Sequence, residues 1–168
     1  LRYFNIYGSR QSLENPYTGV CAIFSSRITN DNPPLVFEDG QQTRDFIHVS
    51  DIARANAAAI ERSEADGHAI NIGTGNPRTI EGIAESLIEL YGRSDSLDPD
   101  ITGSYRSGDI RHCYADTSKA EELLDFEPEM TFEDGMRELI EWAQERDATD
   151  QFNQAHSELQ EKGLVDST

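Results

Sequence analysis

The octet Arg44-Asp45-Phe46-Ile47-His48-Val49-Ser50-Asp51 constrains the fold most, because an apolar extended run passes without a spacer into an Ala-rich amphipathic segment. Phe46 to Val49 reads as a strand. Ser50 reads as the N-cap of a helix, with Asp51 in its first turn where a carboxylate suits the positive end of the dipole. Upstream, Asp39-Gly40 is a turn dipeptide, so Leu35-Val36-Phe37 and Phe46 to Val49 are expected to be neighbouring strands of a hairpin. Arg44 then sits at a strand rim, where a planar five-donor fork suits bidentate binding of phosphate or carboxylate. The alternative is a solvated ion pair with Asp45 or Asp39.

The rest of the chain alternates strand and helix. Leu1 to Ile6 is aromatic and β-branched, a strand with Asn5 at its C-terminal end, the edge at which open α/β sheets bind ligands. Val20, Ile23, Phe24 and Ile28 recur at helical spacing and predict a helix over 18–29. Ile52, Ala55, Ala59 and Ile60 mark a helix over 50–62. Ala69 to Ile72 is a short strand, and Gly73-Thr74-Gly75 leaves it. That triplet lacks the third glycine and the later acidic residue of a dinucleotide fingerprint, so it reads as a tight turn. Thr79 caps a helix carrying Ile83, Ala84, Leu87 and Ile88. A polar stretch leads to a strand near 101–105 and to Arg106-Ser107-Gly108-Asp109. Thr117-Ser118 opens another helix, and Thr131 caps the last, with Phe132, Met136, Leu139, Ile140 and Ala143 on one stripe. Beyond about Asp147 the chain turns polar. The alternation predicts an α/β class.

Thirty-two acidic residues against 14 basic ones leave a net charge of −18. Such a field repels nucleic acid and anionic lipid. Only Lys119 and Lys162 are lysines, and a carboxylate-rich, lysine-poor surface is one that concentrated salt screens, so a halophilic source is expected. No apolar run reaches membrane-spanning length and no signal peptide is visible, which predicts a cytoplasmic protein. Cys21 and Cys113 are far apart, and His48, His68, His112 and His156 share no metal spacing. The chain starts inside a strand without an initiator Met, and a fragment of a longer protein is expected.

Five ordered blocks then carry a resemblance: Leu1 to Gly8, Gly40 to Ala53, Asn71 to Gly75, Arg106 to Asp109, and Ala115 to Ala120. Together they resemble the C-terminal half of the extended short-chain dehydrogenase/reductase family, within its NAD-dependent epimerases and dehydratases. The likeness is closest to UDP-glucose 4-epimerases, and Asn15-Pro16-Tyr17-Thr18-Gly19-Val20 is similar to the dTDP-L-rhamnose 4-epimerase branch. The resemblance implies the C-terminal strands of a modified Rossmann fold plus a small substrate-binding α/β domain over 1–146, with a polar tail over 147–168. It implies that Arg44 and Arg106 bind the sugar-nucleotide diphosphate, that Asn5 contacts diphosphate or sugar, and that Asp109 takes a ribose hydroxyl. By the same likeness Tyr3 lies beside NAD and Phe4 beside the hexose, Leu35, Val36 and Phe37 receive the base, and Cys113 affects room near the sugar. The chain contains no GxxGxxG and no Tyr-x-x-x-Lys, so the catalytic tyrosine and lysine are expected upstream and the 168 residues alone are expected to be inactive. In the parent, a tyrosinate would take the sugar 4-OH proton as hydride passes to NAD, in a homodimer. A 4,6-dehydratase or decarboxylase of the same fold, or a non-enzymatic nucleotide-sugar or NAD sensor, are the alternatives.

Overall fold

The computed structural model describes residues 1–12, 19–106, 108–145 and 165–166, with only the backbone described for Arg106, Val165 and Asp166. Strands β1 (Arg2–Tyr3) and β2 (Asn5–Tyr7) are followed by helix α1 (Val20–Thr29), then β3 (Leu35–Val36), β4 (Thr43–His48) and α2 (Val49–Glu61). Next come β5 (Asn71–Ile72), β6 (Pro77–Thr79), α3 (Ile80–Leu90), β7 (Asp100–Ile101), β8 (Tyr105–Arg106) and β9 (His112–Cys113). Helices α4 (Ser118–Leu124) and α5 (Phe132–Gln144) precede β10 (Val165–Asp166), which pairs antiparallel with β8. The class is α/β, as expected.

Strand β4 is the organising element. It pairs parallel with β2 and β9 and antiparallel with β6. Its alternation divides the interior in two. Phe46 enters a core with Tyr7, Phe24, Ile83, Leu87, Phe132 and Met136. Ile47 enters a second core with Ile52, Ala55, Ile70, Ile72 and Leu124. Each core closes because a helix stripe meets one face of the same strand: α5 covers the Phe46 side and α2 the Ile47 side.

The expected hairpin does not form. Strand β3 pairs parallel with β7, not with β4. Thr43 and Arg44 already have partners in both β6 and β9, which leaves no edge of that half-strand for β3. Glu38 and Gly40 both adopt positive φ, so the turn is real, but it redirects the chain rather than folding it back. The first strand also differs from expectation. It breaks at Phe4, with β1 running beside β5 and β2 beside β4. Asn5 therefore begins β2, at the point where the chain passes from one sheet to the other.

Helix caps follow the threonines and depart at the octet. Thr79 Oγ1 accepts from Gly82 N at 3.1 Å, and Thr131 Oγ1 from Asp134 N at 3.1 Å. Helix α2, however, is capped by His48, whose Nδ1 accepts from Ser50 N at 3.3 Å, so Ser50 already lies inside the helix. Ile60, placed on the apolar stripe by spacing, is exposed; α2 ends one residue later, beyond the reach of the second core.

Candidate functional site

Arg44 is the second residue of β4, opposite Cys113 of β9 and Arg78 of β6. Its side chain is 13% exposed. Nη1 donates to the carbonyls of Thr43 at 2.8 Å and Arg111 at 3.3 Å, and Nη2 donates to Asp109 Oδ1 at 2.5 Å. Among the described residues these contacts use three of five N–H groups. Neither ion pair considered from sequence forms. Asp39 is held by the Arg111 fork at 2.7 Å on both oxygens, which draws its carboxyl down to about 2. Asp45 faces the other side of β4.

Asp45 is fully buried. Its carboxylate accepts from Thr74 N, Thr74 Oγ1 at 2.5 Å, Gly75 N at 2.9 Å and Ala115 N at 3.1 Å. The Gly73-Thr74-Gly75 turn is thus an anion cradle filled by the protein's own carboxylate. A Cβ at Gly73 would lie 2.5 Å from Asp45 Oδ2, so that close approach requires glycine. Asp51, read from sequence as a dipole partner, is likewise buried and accepts from Glu129 N at 3.0 Å and Met130 N at 3.1 Å. It anchors the entry to α5.

On the Arg44 side lies a cavity of about 260 Å³. Asn5, Gln42, Arg44 and Asp109 are its polar side chains, and Val20, Ile23, Phe24, Leu35, Phe37 and Ile80 its apolar ones. The N-terminus of α1 joins the wall through Gly19 and Val20. Gly19 caps that helix without a side-chain hydrogen bond, and its first turn holds no acidic residue. Its leading backbone N–H groups therefore present positive partial charge next to a guanidinium.

Of the residues singled out from sequence, Asn5, Leu35, Phe37, Arg44 and Asp109 converge here. Val36 does not: its side chain is fully buried in the core, because alternation sends it opposite to Leu35 and Phe37. Cys113 is half-buried beside Arg44 in register, and Phe4 is half-buried at the strand break. Tyr3 is on β1, 44% exposed, its hydroxyl donating to Asn56 Oδ1 at 2.8 Å. The side chain of Arg106 and the segment Asn15-Pro16-Tyr17-Thr18 lie outside the described residues. Gln42 and the start of α1 were not anticipated. The i, i+2 spacing of Gln42 and Arg44 was the available signal. Among the described residues no cluster of His, Cys, Asp and Glu could hold a metal.

Residues 1–73 match the model of the NAD dependent epimerase/dehydratase family. The chain is similar to the dTDP-L-rhamnose 4-epimerase of Burkholderia thailandensis, 36% identical over 148 residues, covering 88% of this chain and 40% of that protein. It is 32% identical over 149 residues to a putative UDP-glucose 4-epimerase of Methanocaldococcus jannaschii, covering 89% of this chain and 46% of that protein. Its structure is similar to that of UDP-glucose 4-epimerase from Thermotoga maritima with UDP-glucose, with a TM-score of 0.77 and 36% identity, covering 86% of this chain and 45% of that one. The chain spans less than half the length of these relatives.

Proposed function

Because residues 1–73 belong to the NAD dependent epimerase/dehydratase family, we propose that the chain is the nucleotide-sugar-binding half of an NAD-dependent nucleotide-sugar 4-epimerase of the UDP-glucose or dTDP-L-rhamnose type. The observation that carries this reading is the setting of Arg44. In a chain of net charge −18, a guanidinium is kept on a cavity wall by two backbone carbonyls and one carboxylate, next to the start of a helix whose cap residue, Gly19, makes no side-chain hydrogen bond. Two sources of positive potential on one apolar-walled cavity suit a diphosphate.

The other residues take complementary parts. Leu35 and Phe37 offer apolar surface to a base, Asn5 an amide to phosphate or sugar, and the Asp109 carboxylate an acceptor to a ribose hydroxyl. Arg106 is the proposed second cation. Tyr3 fits a place beside the cofactor, since its hydroxyl is pinned by Asn56 while much of its ring is open. NAD supplies a reversible hydride acceptor. The tyrosine and lysine that move the proton belong to the other half of the parent, so this chain's contribution is to hold the diphosphate while the sugar reorients. Residues 1–146 form that binding half, and the parent is a cytoplasmic homodimer. A dehydratase would share this half, as the family's description covers both reactions.

Calorimetry with UDP-glucose and dTDP-glucose tests the reading. Arg44→Ala removes a charge-assisted contact and is expected to weaken binding about 10- to 100-fold. Unchanged affinity would remove Arg44 from the site.

A further inference from the structure

Arg44 is held in a way that leaves it one route to an anion. Nη1 directs its two N–H groups at the carbonyls of Thr43 and Arg111, at 2.8 and 3.3 Å. The Nη1–Nη2 edge of the fork is therefore occupied, and only the Nε–Nη2 edge can still grip two phosphate oxygens at once. Nη2 already donates to Asp109 Oδ1 at 2.5 Å. A carboxylate of the chain itself thus sits on the edge that a phosphate needs.

Asp109 is placed to leave as well as to stay. Its side chain is 43% exposed. The same Oδ1 accepts from Ile110 N at 2.9 Å, a contact within its own segment, so among the described residues Arg44 is the one partner that ties this carboxylate to the rest of the fold. Gly108, just before it, has φ 82, and among the described residues nothing lies within 4 Å of where its Cβ would be. Two residues further on the chain is fixed. Thr43 N donates to the Arg111 carbonyl at 3.0 Å, and the Arg111 guanidinium grips Glu38 and Asp39. The Asp109 side chain can therefore swing off Arg44 while β9 stays paired with β4.

Resting on the nucleotide-sugar reading above, we propose that Asp109 is a specificity-determining residue that makes the site select nucleoside diphosphates over bare phosphate anions. An inorganic anion that takes the Arg44 edge must displace Asp109, and it leaves that carboxylate unpaired beside its own negative charge. A nucleotide displaces Asp109 too, but its ribose hydroxyl donates to the freed oxygen. The Arg44–Asp109 pair thus opposes both ligands, and only one of them offsets the loss. Without it, a guanidinium beside a helix start would take any phosphate.

Calorimetry of the full chain with UDP and with inorganic pyrophosphate is the test. Both ligands carry a diphosphate, and only UDP has ribose hydroxyls. Asp109→Ala is expected to tighten pyrophosphate about tenfold and to leave UDP no tighter than in the wild type, so the UDP:pyrophosphate preference falls about tenfold or more. Asp109→Asn also removes the charge and is expected to move the ratio in the same direction. If Asp109 acted only through the anionic field of the chain, either variant would tighten both ligands alike and keep the ratio. An unchanged ratio would therefore overturn the role of Asp109 alone. A wild type that binds pyrophosphate as well as it binds UDP, or binds neither, would overturn the nucleotide-sugar reading, and this inference with it.

Discussion

Arg44 and Asp45 are adjacent and opposite in charge, yet β geometry sends them to different faces and different tasks. Asp45 meets three backbone N–H groups and a hydroxyl with no solvent exposure. In this position a carboxylate works as a structural rivet, joining β4 to the turn after β5 and to the segment leading into α4. Asp45→Asn would turn an amide NH₂ toward some of those donors and leave buried polar groups unmatched. A loss of about 2–4 kcal/mol is expected in urea unfolding, larger than for a surface substitution. A change below about 0.5 kcal/mol would mean that water or relaxation satisfies the cradle instead. Cys21 is buried too, and burial pushes its thiol up, as befits a core residue rather than a reactive one.

At the scale of elements, α5 shows how a close approach selects glycine. Gly135 lies in its second turn, and a Cβ there would stand 2.5 Å from Tyr7 Oη and 2.9 Å from its ring. Tyr7 cannot swing aside, being boxed by His48 and Phe132 at ring-centroid distances of 5.3 and 5.5 Å. Gly135→Ala sets two effects against each other. Alanine favours a helix interior by about 1 kcal/mol, while overpacking costs about 1–3 kcal/mol. Because Tyr7 is fixed, the clash is expected to win by about 1 kcal/mol, read as a lower melting temperature. Combining Gly135→Ala with Tyr7→Phe should recover part of the loss. Nothing in the local sequence announces this constraint, since a glycine inside a helical pattern looks merely tolerated. The threonine caps, by contrast, were legible, because a cap is made within three residues of itself. The partner of β3 was not, because it depends on which edges of β4 distant strands occupy.

For the molecule as a whole, charge is the dominant uncompensated property. The ion pairs of Arg54, Arg78, Arg93 and Arg111 neutralise patches of a surface that remains strongly anionic. Screening length falls from about 10 Å at 0.1 M salt to about 3 Å at 1 M, so self-repulsion should fade over that range. If the source is halophilic, as we propose, the urea midpoint rises with KCl between those concentrations. A flat or falling midpoint would count against it.

Periodicity, caps and the strand-to-helix octet determined the α/β class and the order of nearly every element, because those signals act between residues close along the chain. Arg44 and Asn5 stood out in the sequence through their places at strand ends, whereas Leu35, Phe37 and Asp109 stood out as binding residues through their likeness to a family. Only tertiary structure decided that Val36 turns into the core, that His48 displaces Ser50 as the cap, and that Gln42 grips the wall of the cavity. Val36 and Gln42 are set by contacts with segments distant in sequence, Val36 in the first core and Gln42 at Ile80, whereas the His48 cap reaches only two residues along the chain and forms because β4 runs directly into α2.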